Sequence, residues 1–84
     1  MNRDLEGKTI IVTGGGSGIG RAAALACSVA GARVVVADID DAAGEETVSA
    51  IQRAGGDAIF AATNVADEEQ VEELVAEAMP KPVV

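Results

Sequence analysis

The stretch IIVTGGGSGIGRAAALA, residues 10 to 26, constrains this chain more than any other part of it. An apolar run meets five glycines in seven residues, Gly14, Gly15, Gly16, Gly18 and Gly20, and then an alanine-rich segment. Each glycine costs backbone entropy on folding. Such a cluster is kept where the chain must turn sharply or where another group must approach the backbone closely. A tight structural turn would satisfy the first need alone. The flanking residues decide what the second need is.

Lys8 to Thr13, KTIIVT, reads as a β-branched buried strand ending at the glycines. From Gly18 to Ala30 the residues favour a helix, with Ile19, Ala22, Ala23, Ala26 and Ala30 expected to share the inward face and Gly31 as its stop. Arg33 to Asp38, RVVVAD, is a second strand whose unbroken apolar run suits a parallel sheet covered on both faces. Asp40 or Asp41 is placed to cap a second helix running to about Ala54, with Ala43, Thr47, Ala50, Ile51 and Ala54 turned inward. Gly55 and Gly56 end it. DAIFAATNV, from Asp57, supplies a third strand. Asp67 begins a last helix, with Gln70 as a capping-box variant and Val71, Leu74, Val75 and Ala78 as its face, before Pro80 and Pro82. The order β-α-β-α-β-α with short connections implies a parallel sheet with right-handed crossovers. In 84 residues this is one small domain. Its core is made of small side chains, since Phe60 is the only aromatic residue.

Composition removes several function classes. A net charge of −8, with six basic residues scattered among fourteen acidic ones, argues against a nucleic-acid partner. The acidic run from Asp67 to Glu77 reads as a solvated helix face. One cysteine and no histidine exclude the usual zinc sites and leave no internal disulfide, so no metal site is expected. A lone Cys27 fits a reducing cytoplasm, and it reads as a small packing residue because no adjacent base makes it a nucleophile. No 18-residue uncharged apolar run indicates a membrane span, and MNRDLEGKT lacks the apolar centre of a secretory signal. The expected localisation is cytoplasmic.

Three phosphate-binding spacings compete for residues 13 to 22. The P-loop finds glycines at 15 and 20, but Arg21 and Ala22 stand where Lys and Ser/Thr are needed to reach the outer phosphates and magnesium. The GxGxxG fingerprint fails because Arg21 follows Gly16 and Gly18 in the third glycine's place, and its GxGxxA form lies too far into the helix. The spacing Thr13-Gly14-x-x-x-Gly18-x-Gly20 fits throughout. Here the chain resembles the short-chain dehydrogenase/reductase family, whose first strand-to-helix turn carries TGxxxGxG. On physical grounds Gly14 turns the chain off the strand, Gly18 admits a pyrophosphate, and Gly20 lets the helix pack close to the sheet. Gly15 and Gly16 are expected to be tolerated spacers. The helix N-terminus offers free N–H groups and positive dipole to the phosphates, with Ser17 and Ile19 lining the loop.

The resemblance implies a partial Rossmann-like (β-α)3 unit, a three-stranded parallel sheet with helices on both faces, that binds a dinucleotide. Asp38, at the end of the second strand, is placed to accept hydrogen bonds from the adenosine ribose; its alternative role is a helix cap. A carboxylate there repels a 2′-phosphate. NADP-using relatives usually place a basic residue where this chain has Ser17 or Ile39, so NAD is favoured over NADP. Asn64 and Val65 resemble the family's adenine-contacting Asp-Val pair, though Asn64 also suits a strand-end residue satisfying nearby backbone. Arg21 reads as a solvated first-turn residue or a minor phosphate contact, and Arg33 as surface.

The likeness runs from about residue 4 to 78 and spans only the first third of a family member. The family places a serine and a Tyr-x-x-x-Lys pair later in the chain, and this sequence has no tyrosine. No catalytic residue is therefore expected within it. The segment 79–84 departs from the family pattern, so the chain reads as a shortened or partial product. Strand one would then leave a sheet edge open, and self-association through that edge is expected. The rival readings are a non-catalytic nucleotide-binding or interaction module, and a structural fragment that binds nothing.

Overall fold

A computed structural model describes residues 4–64 together with 67, 69, 70, 72 and 73. Three parallel strands, β1 (Thr9–Thr13), β2 (Arg33–Asp38) and β3 (Asp57–Ala62), lie in the order β1-β2-β3. Val35 of the central strand pairs with Ile11 on one side and Ile59 on the other. Helices α1 (Gly18–Val29) and α2 (Asp41–Arg53) make the two crossovers. Strand β2 matches its sequence-based bounds, while β1 starts one residue late and β3 ends at Ala62 rather than Val65. Beyond Ala62, Thr63 donates its N–H to Asp38 O, which binds the end of β3 to the end of β2.

Both described helices pack on one face of the sheet. Ala24 of α1 and Val48 and Ile51 of α2 are buried against Val34, Val36 and Ala58, with Leu25, Cys27, Ile10, Val12 and Phe60 closing the cluster. Burying the Val34, Val36, Val48 and Ile51 side chains contributes about 1.5–3 kcal/mol each, and the alanine methyls less. On the opposite face, Val35 and Ala37 are buried with Ile11, Ile59 and Ala61 partly so. The expected last-helix face (Val71, Leu74, Val75, Ala78), Pro80, Pro82 and Val65 lie outside the described residues. Asp67 does act as a cap, its Oδ1 accepting from the N–H groups of Glu69 and Gln70. The Gln70 side chain accepts from Asn64 N–H rather than closing a capping box.

The inward face expected for α1 is corrected. Ile19, Ala22, Ala23 and Ala26 are exposed, Ile19 at 91%, and Ala24, Leu25 and Cys27 meet the core instead. This helix is apolar nearly all round, so its periodicity offers no contrast by which to choose a side. In α2 the stripe also turns slightly: Gly44, Thr47, Val48 and Ile51 are buried, whereas Ala54 is exposed and serves as the C-cap. Both helices end in the same way, with the N–H of Ala32 or Gly56 reaching five residues back to Cys27 O or Ile51 O. Gly31 and Gly55 make that reversal at positive φ.

Candidate dinucleotide site

The glycine loop sits where β1 hands over to α1, at the carboxyl end of the sheet. That is where open parallel sheets hold their ligands. Gly14 N–H donates to Ala37 O at 2.7 Å, so the loop leaves β1 while still bound to β2. Gly14 and Gly18 have φ of +67° and +56°, the left-handed region that glycine enters without penalty. A Cβ on Gly18 would meet nothing within 4 Å, which leaves open space in front of the loop. Gly20 is required for a different reason than expected. Its Cβ would collide with the carbonyl of Gly14, so α1 is pressed against the loop's own backbone rather than against the sheet.

Gly15 and Gly16 are not spacers. Both are buried. A Cβ on Gly15 would stand 3.0 Å from Val12 O and from Val36 Cγ1. On Gly16 it would lie 2.7 Å from Asp38 Oδ2 and 2.9 Å from Ala43 Cβ. The loop is wedged between the end of β2 and the first turn of α2, and only a residue without a side chain fits.

The first turn of α1 carries the positive end of the helix dipole. The N–H groups of Gly18, Ile19 and Gly20 lie in that turn, where no intrahelical acceptor exists. Ser17 occupies the N-cap in extended conformation, and its side chain makes no capping bond. α2 differs, since Asp40 accepts there from Ala43 N–H at 3.1 Å.

Asp38 terminates β2 beside the loop. Its Oδ2 accepts from Gly16 N–H and its Oδ1 from Asp40 N–H, each at 2.9 Å. The bond from Asp40 first, then that from Gly16, holds the carboxyl below its ordinary pKa, partly opposed by desolvation. Asp40 does the capping, so the alternative role of Asp38 as a helix cap is vacated in favour of anchoring the loop. A carboxylate has about four lone-pair sites, and the backbone N–H of Ile39 also favours the charged form of this one. Ile39, 71% exposed, and Ile19 are the large apolar side chains exposed beside these groups. Asn64 is exposed two residues beyond β3, on the same edge.

Arg21 was missed as a member of the site. Its side chain is 32% exposed, yet its guanidinium is tied down, bonding Gly16 O, Thr47 Oγ1 and Glu46 Oε1. No spacing in the sequence signals this, because Glu46 and Thr47 lie 25 and 26 positions away on the facing helix. Arg33 is exposed, as expected, in a 3.7 Å ion pair with Asp57, and such a surface pair is worth little.

A cleft of about 580 Å³ opens at the other end of the sheet, lined by Gly7, Thr9, Val29, Gly31, Gly55 and Asp57 among others. It lies at the amino ends of the strands, and two of its charged lining residues, Arg33 and Asp57, pair with each other. The glycine loop, with its oriented amides and carboxylate, is the better candidate. Among the described residues no three carboxylate, histidine or cysteine side chains cluster to hold a metal. Among those residues, no helix is long and apolar enough to cross a membrane.

The geometry agrees with comparison to known proteins. The family model for short chain dehydrogenase matches residues 8–82, taking in Pro80 and Pro82. The chain belongs to the short-chain dehydrogenase family. It is 54% identical over 76 residues to a 2,5-dichloro-2,5-cyclohexadiene-1,4-diol dehydrogenase of Sphingobium indicum, covering 90% of this chain and 29% of that protein. It is 39% identical over 80 residues to the 7alpha-hydroxysteroid dehydrogenase of Escherichia coli, covering 95% and 31%. A solved structure of a 7alpha-hydroxysteroid dehydrogenase, complexed with NADH and 7-oxo glycochenodeoxycholic acid, superimposes with a TM-score of 0.89. That match is 39% identical and covers 95% of this chain and 31% of the other. The citronellol catabolism dehydrogenase AtuB of Pseudomonas aeruginosa gives the same TM-score at 39% identity, covering 95% and 34%. The chain thus spans about a third or less of the relatives it matches.

Proposed function

We propose that this chain forms the dinucleotide-binding part of a short-chain dehydrogenase, the full-length activity being oxidation of an alcohol or reduction of a carbonyl. The observation that carries this reading is the first turn of α1, with an exposed Ser17 at its N-cap and open space in front of Gly18, beside an ionised Asp38. The pyrophosphate is seated on the amides of Gly18, Ile19 and Gly20, with Gly14 shaping the turn. The acceptor capacity left on the Asp38 carboxylate takes a hydroxyl of the adenosine ribose. Ile39 flanks the ribose, and Asn64 and Val65 take the adenine. NAD is favoured over NADP because a 2′-phosphate would meet the Asp38 charge with neither Ser17 nor Ile39 able to neutralise it.

When bound, the dinucleotide supplies the hydride acceptor or donor; these 84 residues hold and orient it. With no tyrosine, they do not supply the proton-transferring Tyr-x-x-x-Lys pair that family resemblance implies. The unit is accordingly a single cofactor-binding domain in the cytoplasm, its chemistry completed elsewhere in a longer polypeptide.

Calorimetric titration tests the reading. Saturable NAD binding at millimolar cofactor, tighter than NADP, is expected; no binding of either refutes it. Replacing Asp38 with Ala should weaken NAD binding by about 1–3 kcal/mol. It should also erase the preference over NADP, which the loss of a loop anchor alone would not do.

A further inference from the structure

Gly16 is held at both ends of its residue by side chains from other elements. Asp38 of β2 accepts its N–H at 2.9 Å, and Arg21 of α1 donates to its carbonyl at 2.7 Å. The same guanidinium donates from Nε to Thr47 Oγ1 at 3.0 Å and pairs with Glu46 Oε1 at 3.1 Å. Thr47 is completely buried, and its hydroxyl in turn donates to Ala43 O at 3.3 Å, one turn back in α2. Ala43 is the residue against which Gly16 is pressed. The planar fork of an arginine can bond three acceptors in fixed directions at once, which a lysine cannot. One side chain therefore joins the glycine loop, α1 and α2.

We propose that Arg21 is a positioning residue, a latch that fixes the Gly16 peptide and so sets the direction in which the amides of Gly18 to Gly20 point. Three of its five N–H donors, one on each nitrogen, are engaged by Thr47, Glu46 and Gly16. It acts through the loop, with Glu46 and Thr47 as its seat. Without it, the loop is held on one side only, by Ala37 O and Asp38. The consequence for the ligand rests on the dinucleotide reading above; the latch itself does not.

The test combines amide hydrogen exchange of the unliganded chain with NAD titration, on Arg21→Met, Arg21→Lys and Glu46→Ala. Arg21→Met should speed exchange at the Gly16 amide about tenfold, the effect of losing one or two charge-assisted bonds. Exchange at Val34, Val35 and Val36 should stay unchanged. Arg21→Lys should fall between, because an ammonium keeps the charge but not the fork. NAD affinity should drop in the same order. If Arg21→Met lowers protection everywhere, the exposed Glu46→Ala decides, and it should still loosen Gly16 selectively. Unchanged Gly16 exchange in both, or a loosened loop with unaltered NAD affinity, overturns the proposal. A wild-type chain that takes up no NAD refutes the dinucleotide reading, and the exchange data alone then decide the latch.

Discussion

At Gly16 the chain has no room for a side chain, although the motif spacing treats the position as free. The oxygen of Asp38 and the methyl of Ala43 close on it from β2 and α2. Gly16→Ala should therefore destabilise the domain by about 1–3 kcal/mol, the usual cost of overpacking. Denaturant unfolding measures it, and an unchanged midpoint would return Gly16 to a spacer. Asp38 makes a second prediction at this scale. Its folded pKa is lowered, so its contribution to stability is complete above the ordinary carboxylate range. That contribution is lost as pH falls through the lower folded value. Acid unfolding of Asp38→Ala should consequently show a shallower loss of stability below about pH 4 than the parent chain. Equal slopes would mean that the bonds to Gly16 and Asp40 carry no net stability.

At the scale of elements, α2 contains a glycine inside its second turn, where alanine would be about 1 kcal/mol more favourable on propensity alone. The ring of Phe60 on β3 occupies the space that a Cβ at Gly44 would need. Packing should win. Gly44→Ala is expected to lower the melting temperature, and a second change, Phe60→Leu, should recover part of the loss by vacating that space. A stabilised single variant would show that α2 rides out from the sheet at little cost. The two helices also show how far pattern alone reaches. In α2 polar and apolar residues alternate with helical period, and the expected stripe holds at Thr47 and Ile51 but not at Ala54. α1, almost wholly apolar, has two faces that read alike; only its neighbours choose between them.

For the whole molecule, β1 pairs with β2 alone among the described residues, and α1 leaves Ile19, Ala22, Ala23 and Ala26 exposed. An unpaired apolar edge beside an apolar helix face favours association. The net charge of −8 opposes it, most strongly at low salt. Light scattering should show oligomers of the chain that grow with ionic strength. A monodisperse monomer at every salt concentration would contradict this.

The sequence by itself determined the strand–loop–helix order, the bounds of β2, a cap at Asp40 or Asp41 and the TGxxxGxG spacing with Asp38 beyond it. These are local matters, set by β-branched runs, turn residues and short-range hydrogen bonds. What only the tertiary structure decided lies between elements: which face of α1 is buried, why all five loop glycines are needed, and the roles of Asp38 and Arg21 in clamping Gly16. The bonds from Gly16 to Asp38 and from Arg21 to Thr47 join residues more than twenty positions apart. The position of Arg21 in the chain does not reveal that Thr47 and Glu46 stand opposite it; the packing of α1 against α2 does.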